Sequence, residues 1–311
     1  MTINEHLTEY AGLPVVEFEG PAGGLPEPGA VAWRLTHDDF DEEGRFGLLF
    51  QDFLDTVDTG RVTHLVVGCW TVTLSEKDPY PPDLLVAAAH RFPALRSLFF
   101  GDIVLEQQEI SWIEHGDISP LLEAFPALER LDVRGSVGLE LKPFRGEALR
   151  TLRFESGGLP SEIVRAVSAS ELPNLEHLDL WLGAGAYDGD VRVADLAEIL
   201  AGDRLPALRH LGLENAEIAD EAAAALAGAA VVARLESLSL AKGILSDTGA
   251  EALLAGQPLT HLKRLDLHHH FVTAPMRDRL RAALPGVDID LSEAHDRHAG
   301  GPEWSYIYVA E

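Results

Sequence analysis

The sequence predicts an α/β solenoid, in which short parallel strands line a concave face and helices lie outside. One nine-residue pattern recurs in six close copies: FPALRSLFF, FPALERLDV, LPNLEHLDL, LPALRHLGL, VARLESLSL and LTHLKRLDL. Segments with helical spacing of apolar residues, such as 161–167, 220–230 and 248–255, separate the copies. A repeated strand-and-helix unit stacks into a curved right-handed β-α superhelix with one continuous core.

The second leucine of each L-x-x-L-x-L pattern defines the repeat. These positions are Leu65, Leu98, Leu131, Leu152, Leu178, Leu211, Leu238 and Leu265, with Ile289 in a degenerate last copy. Successive positions are 21 to 33 residues apart. Most intervals lie in or near the range of roughly 20–29 residues that is typical of leucine-rich repeats.

Two resemblances follow from these residues. Segments such as 245–254 (LSDTGAEALL), between the strands of residues 61–291, resemble the ribonuclease-inhibitor type of leucine-rich repeat. The whole chain also resembles an uncharacterised family of stand-alone bacterial leucine-rich-repeat proteins, through 110–113 (ISWI), 121–133 and the aromatic segment 304–309. That resemblance implies an accessory role beside biosynthetic enzymes, without a known activity.

Three regions are predicted along the chain. Residues 1–60 form an irregular arm and an amino-terminal cap, with strands near 15–18 and 31–36 and an amphipathic helix at 41–58. Residues 61–291 hold eight to nine repeats. Residues 292–311 form a tail whose alternating segment 304–309 is predicted to pair, as a capping strand, with the edge of the last repeat. The alternative is that this segment binds another protein.

The turns depart from the usual repeat, because neither asparagine nor cysteine occupies the aligned turn position of any copy. The aligned turn positions hold Trp70, Ile103, Ser136, Gly157, Gly183, Ala216, Gly243 and His270. We therefore expect backbone groups or water to satisfy these turns, and we expect His270 to be a polar turn residue. Asp220 and Asp247 are predicted helix N-caps. The insertion at 106–116 argues against a uniform horseshoe.

Charge and composition limit the partners. The net charge is −27, from 24 Lys+Arg against 51 Asp+Glu, which disfavours nucleic acid and anionic membranes. An acidic surface for a basic protein partner is one interpretation, and solubility is the other. Cys69 is the single cysteine, so no intramolecular disulfide can form, and we expect an inert core residue. The first residues lack a secretory signal, so a cytoplasmic protein is expected.

Side chains between the leucines should face outward on the concave surface, because strand residues alternate. Its centre collects the predicted partner-binding residues Arg130, Asp132, Arg134, Arg153, Glu155, His177, Asp179, Trp181, His210 and Glu214. The favoured interpretation is a binding patch with Trp181 as its anchor. The alternative is a row of arginine–carboxylate pairs that keeps the face soluble. On an open face, Arg153→Ala would cost well under about 1 kcal/mol.

No nucleophile–base pair is apparent, so a non-enzymatic protein-interaction module without cofactor or metal is expected. The alternative is a small-molecule or divalent-metal site around His177, Asp179, His210 and Glu214. The glycine-rich stretches match neither a phosphate loop nor a dinucleotide fingerprint. Residues 181–190 are predicted to be an insertion loop at the rim, in which Asp188 and Asp190 do not have the spacing of a known calcium loop.

Overall fold

The computed structural model describes residues 3–21, 24–37, 45–70, 80–295 and 305–310. Twelve strands join in chain order into one sheet. The first pair is antiparallel and the other neighbours are parallel. The strands are β1 Glu9–Tyr10, β2 Leu13–Glu17, β3 Ala32–Leu35, β4 His64–Val67, β5 Ser97–Phe100, β6 Arg130–Arg134, β7 Thr151–Glu155, β8 His177–Gly183, β9 His210–Ala216, β10 Ser237–Ser239, β11 Arg264–Asp266 and β12 Asp288–Asp290.

The aligned leucines form one spine, as the sequence predicted. Each pairs with its counterpart on the next strand, from Leu65 on β4 to Leu265 on β11 and Ile289 on β12. The eight leucines are fully buried. The same register continues back through Trp33 to Val16. The parallel sheet therefore already begins within residues 1–60, where the sequence predicted an arm and a cap.

Helices cover the other side of the spine, and their apolar residues join the leucines in one core. The first helix packs Phe53 against Trp33 of β3, with ring centroids 5.6 Å apart. None of the helices in the described ranges is long and apolar enough to cross a membrane. They are α1 Arg45–Thr56, α2 Pro81–Ala87, α3 Ser119–Ala124, α4 Ser161–Ala169, α5 Ala197–Ala201, α6 Ala219–Leu226, α7 Asp247–Ala255 and α8 Ala274–Ala283.

Asp220 and Asp247 connect successive repeats instead of capping their own helices, so the N-cap prediction was wrong. The N-cap of α7 is Ser246, whose hydroxyl accepts the Thr248 amide at 3.2 Å. The Asp220 carboxylate, in the first turn of α6, accepts the Ser246 amide at 2.7 Å. Asp247 likewise accepts the Thr273 amide at 2.8 Å, at the start of α8. A carboxylate can reach the free amides of the neighbouring helix because the repeats stack closely.

At two of the turns, side chains bond to backbone groups for which the sequence suggested only other backbone groups or water as partners. The Ser136 hydroxyl donates to the Gly158 carbonyl at 2.8 Å. The buried His270 ring donates through Nε2 to the Leu291 carbonyl at 3.3 Å and accepts the Val272 amide through Nδ1 at 3.0 Å. His270 is thus the polar turn residue that the sequence predicted.

The amino-terminal arm, residues 3–12, lies on the concave face. Tyr10 packs edge-on against Phe99, with ring centroids 5.7 Å apart, in a small cluster with Ala32 and Val66. Val66 and Phe99 lie one residue after the buried spine and Ala32 lies one residue before it, at positions where side chains face away from the helices. The arm therefore covers the concave surface of strands β3 to β5.

The carboxy-terminal tail, residues 305–310, crosses the carboxyl ends of several strands. The Asn215 side chain donates to the Val309 carbonyl at 2.6 Å and accepts the Val309 amide at 2.9 Å. The Tyr308 amide donates to the Lys242 carbonyl at 2.7 Å, and the Ser111 hydroxyl bonds to the Ala310 carbonyl.

The predicted capping strand at 304–309 was wrong where the structure describes it. Trp304 lies outside the described residues, and residues 305–310 form no strand. The physical reason is that Asn215 supplies the donor and the acceptor that an edge strand would otherwise offer to Val309.

Candidate functional site

The sheet brings the ten predicted residues onto neighbouring strands. One row runs Arg130, Thr151, His177, His210, and the next runs Asp132, Arg153, Asp179, Gly212. A third row pairs Arg134 with Glu155 and Trp181 with Glu214. The concave surface therefore has the order that strand alternation predicted.

Most of these side chains are nevertheless buried, which corrects the expectation of an open face. Six of the ten are less than a tenth exposed: Asp132, Arg134, Glu155, Asp179, Trp181 and Glu214. The Trp181 ring, 4% exposed, lies between the Arg153 guanidinium at 5.4 Å and the Lys242 ammonium at 5.0 Å. Trp181 is part of the packed structure and is not an exposed anchor.

Arginines and carboxylates form a continuous chain under this surface. Asp102 binds Arg34 at 2.9 Å and Arg134 at 3.5 Å. Arg134 then binds Glu155 at 2.7 Å, and Glu155 binds Arg153 at 2.9 Å. Burial alone would raise the pKa of Glu155, but Arg153 and Arg134 outweigh it and hold that pKa below its ordinary value. This arrangement favours the alternative of arginine–carboxylate pairs that the sequence left open.

A second ion pair fastens the amino-terminal arm. Arg130 binds both carboxylate oxygens of Asp132, at 2.6 and 3.0 Å. The Tyr10 hydroxyl donates to the same carboxylate at 2.9 Å, and the guanidinium lies 5.2 Å from the Tyr10 ring centre. Burial, followed by the charge of Asp132, raises the pKa of Tyr10 well above its ordinary value. Tyr10 is therefore a neutral donor at physiological pH.

Two histidines share the buried Asp179. His177 Nε2 and His210 Nε2 each donate at 2.7 Å, to different oxygens of this carboxylate. The rings stack with centroids 3.9 Å apart and an angle of 10°. Burial alone would raise the pKa of Asp179, but the two histidine hydrogen bonds hold it far below its ordinary value. The His177 side chain is 39% exposed, so the pair reaches the surface.

Gly212 makes room for this group. A β-carbon at Gly212 would overlap the Asp179 carboxylate. The Asp179 position therefore requires a glycine on β9, opposite it in the sheet. In the sequence, the only signal for this role is a glycine in a row of otherwise larger residues.

The donor atoms of His177, Asp179 and His210 lie within 4.8 Å of one another, as do those of Asp266, His268 and Asp290. Ring nitrogens bind zinc at about 2.0–2.1 Å and must point at the same ion. Parallel rings do not point at one position, and each nitrogen already bonds a separate carboxylate oxygen. The first group thus has the geometry of a hydrogen-bonded triad.

Glu214 does not belong to the histidine group, although the sequence placed it there. Its carboxylate binds the Lys242 ammonium and the Ser239 hydroxyl, each at 2.5 Å. Lys242 was not among the predicted site residues, and its left-handed backbone (φ of 66°) lies just beyond β10. Asn215, which holds the tail, was also missed, because it directly precedes the aligned turn position.

The predicted insertion loop at 181–190 belongs partly to the sheet, since β8 extends to Gly183. The carboxylate of Asp190 accepts the Ser161 amide at 2.6 Å and the Ser161 hydroxyl at 3.0 Å. It thereby supports the start of α4, which gives this acid a structural role. Cys69 is fully buried, as the sequence predicted.

Comparison with known proteins identifies structural neighbours. No family model matches the chain, and no curated protein matches it. The fold is similar to the crystal structure of a protein from Bacteroides fragilis, with 29% identity and a TM-score of 0.78, over 89% of this chain and 76% of that one. An internalin from Listeria monocytogenes matches with 17% identity and a TM-score of 0.41, over 74% of this chain and 54% of that one.

Proposed function

We propose that this chain is a non-enzymatic interaction protein that binds another protein on the open part of its concave surface. That part, the open strip, consists of Arg153, His177, His210 and Ser237 on strands β7 to β10. Each of these residues is partly exposed. The ribonuclease-inhibitor-like repeat, the cytoplasmic location and an accessory role in bacteria belong to the same proposal.

The stacked pair of His177 and His210 is the observation that supports this proposal most. The hydrogen bonds to Asp179 fix both rings, and His210 Nδ1 also lies 2.7 Å from the Ser237 hydroxyl. Side chains that are fixed before binding lose less conformational entropy when a partner docks. A polar pair of this kind contributes nothing to the leucine core, whereas the partly exposed His177 ring offers a partner a rigid surface on which its Nδ1 is not used by Asp179.

The charge of the molecule supports a basic partner at long range. A net charge of −27 attracts a cationic protein and increases the rate of encounter. At short range, the strip offers two imidazoles and one guanidinium, and Glu155 and Asp179 balance the charge of the guanidinium. The proposed partner therefore carries net positive charge and contributes uncharged polar groups to the histidine pair.

Comparative affinity purification tests the proposal. The wild type, a His177→Ala/His210→Ala variant and a His90→Ala control would each be used to capture proteins from the native organism. His90 is an exposed histidine before β5, away from the strip. We expect one protein to be enriched by the wild type and the control and to be lost with the double variant. Equal enrichment by all three, or no enriched protein, would contradict the proposal.

A divalent-metal site at His177, Asp179 and His210, whose donor atoms lie within 4.8 Å of one another, is the second candidate, and it requires the stacked rings to turn away from their separate Asp179 oxygens. Metal analysis of untagged protein distinguishes the two candidates. The interaction proposal predicts less than stoichiometric metal and no change in melting temperature with zinc or manganese. Stoichiometric metal that is lost in His177→Ala would favour the metal site.

A further inference from the structure

A groove of about 470 Å³ lies at the amino ends of strands β4 to β7, beside the turn between β1 and β2. Its volume is within the range of about 300–1,000 Å³ that is common for small-molecule sites. The groove lies apart from the open strip, and its polar lining includes Arg96, Arg130, Arg150, Ser97 and Thr151.

Three arginines of this acidic molecule, Arg96, Arg130 and Arg150, line the groove. Glu129, which also lines it, lies 3.7 Å from Arg96, while Asp132 pairs with Arg130 and Glu176 pairs with Arg150. The chain has only 24 Lys+Arg against 51 Asp+Glu, so three arginines around one groove are a local concentration of cations. Such a concentration attracts anions even when the distant field is negative, because distant charges are screened within about 10 Å at 0.1 M salt.

Each arginine is held on one side and keeps donors on the other. Arg130 uses Nε and Nη2 for Asp132, and Arg96 uses Nη1 for the carbonyls of Pro93 and Leu95. Arg150 uses Nη1 for Glu176. Within the described part of the chain, Arg130 Nη1, Arg96 Nη2 and Arg150 Nη2 have no hydrogen-bond partner. These donors are available to a ligand without breaking the existing pairs.

The neighbouring groups fit an anion as well. The hydroxyls of Ser97 and Thr151 line the same groove and can donate to oxygen atoms. Burial lowers the pKa of His64, and the charge of Arg130 lowers it further. A neutral imidazole beside a guanidinium is consistent with a positive potential in this groove.

We propose that this groove binds the carboxylate or phosphate group of a small organic anion. Arg96 and Arg150 approach the oxyanion from the rim, and Arg130, fixed by Asp132 and by the Tyr10 ring, contacts it from the concave face. Guanidinium groups match the planar, multiply accepting oxyanion with short charge-assisted hydrogen bonds. This proposal does not depend on the protein partner, because it uses none of the residues of the open strip.

Calorimetric titration with citrate and, separately, with inorganic phosphate tests the proposal, with sodium chloride holding the ionic strength constant. The variants are Arg96→Gln and Arg150→Gln. Arg209→Gln is the matched control, because this exposed arginine occupies the same position before β9 but lies outside the groove. Melting temperatures establish that each variant is folded.

We expect saturable binding of at least one probe by the wild type and the control, and about tenfold weaker binding by each groove variant, since each variant loses a charge-assisted hydrogen bond. The probe that binds more tightly identifies the preferred group. Absence of saturable binding at millimolar concentrations would overturn the proposal. Equal weakening in Arg209→Gln would also overturn it, because the effect would then be general electrostatics.

Discussion

Arg153 shows how a residue on the concave surface becomes part of the structure. Its guanidinium binds Glu155 at 2.9 Å, lies 3.7 Å from Asp179 and packs over the Trp181 ring. The opposing charges raise its pKa although burial alone would lower it. Strand alternation alone predicted an exposed Arg153 with little effect on stability, because the alternation does not show which side chains surround the guanidinium.

We therefore predict that Arg153→Ala lowers the free energy of unfolding by about 1.5–3 kcal/mol, the range for a hydrogen bond to a charged group. Glu155 would keep Arg134, so the network would not be lost entirely. Urea denaturation measures the change. Arg150→Ala is the control, because Arg150 is an exposed arginine directly before β7. It should change stability by less than about 0.5 kcal/mol. Similar losses in both variants would refute the prediction.

His115 makes the stability of the fold depend on pH in mildly acidic solution. Its Nε2 donates to the Arg134 carbonyl at 2.8 Å, and its Nδ1 lies 3.2 Å from the Tyr80 hydroxyl. Burial lowers the pKa of His115 to about 4, although the bond to Arg134 opposes this. The unfolded chain, with a histidine pKa of about 6.5, therefore binds the proton more readily than the folded chain.

As a result, the free energy of unfolding should fall as the pH decreases from about 6.5 to about 4, by up to about 1.4 kcal/mol per pH unit from this group. Above that window, the histidine is neutral in both the folded and the unfolded state, so it adds no pH dependence to the free energy of unfolding. Urea denaturation at several pH values would compare the wild type with His115→Gln, which should show a smaller slope. Identical slopes would mean that His115 does not titrate as described.

At the scale of elements, the leucine spine determines the sheet. Leu178 and Leu211 are fully buried and occupy paired positions on the neighbouring strands β8 and β9. The sequence could predict this pairing because burial on one side of a strand imposes alternation, and stacking imposes the same position in every repeat. Glycine positions such as Gly212 could not be predicted, since their reason lies in a side chain of the neighbouring strand.

We predict that Leu178→Ala and Leu211→Ala each lower the free energy of unfolding by about 2–5 kcal/mol, because each leaves a cavity in the core. Chemical denaturation measures this loss. Leu48→Ala is the control, since Leu48 on α1 is 61% exposed, and it should change stability by less than about 0.5 kcal/mol. A small loss at Leu178 would contradict the spine.

The Asn215 side chain is one of the groups that hold the tail to the strand ends. Asn215 makes two hydrogen bonds to Val309, whose side chain is fully buried. We predict that Asn215→Ala removes the protection of the Val309 amide against hydrogen exchange. Asn174→Ala, which removes an exposed bond to the Glu147 carbonyl, should leave that protection intact. Unchanged exchange in Asn215→Ala would show that the remaining contacts of the tail protect this amide without Asn215.

At the scale of the molecule, the two ends of the chain determine which part of the concave surface is open. The arm contacts Asp132 through Tyr10, and the tail contacts Asn215 through Val309. These partners are 122 and 94 residues apart in sequence, and no repeat pattern links them. The sequence therefore predicted the spine and the rows of side chains, but not the burial of Trp181 or Glu155.

The central claim is that a partner protein docks on the open strip between the arm and the tail. The most direct measurement is the dissociation constant of the purified partner for the wild type, for His177→Ala/His210→Ala and for His90→Ala. The account predicts at least about tenfold weaker binding by the double variant, equivalent to about 1.4 kcal/mol, and unchanged binding by the control. Equal dissociation constants for all three proteins would contradict it.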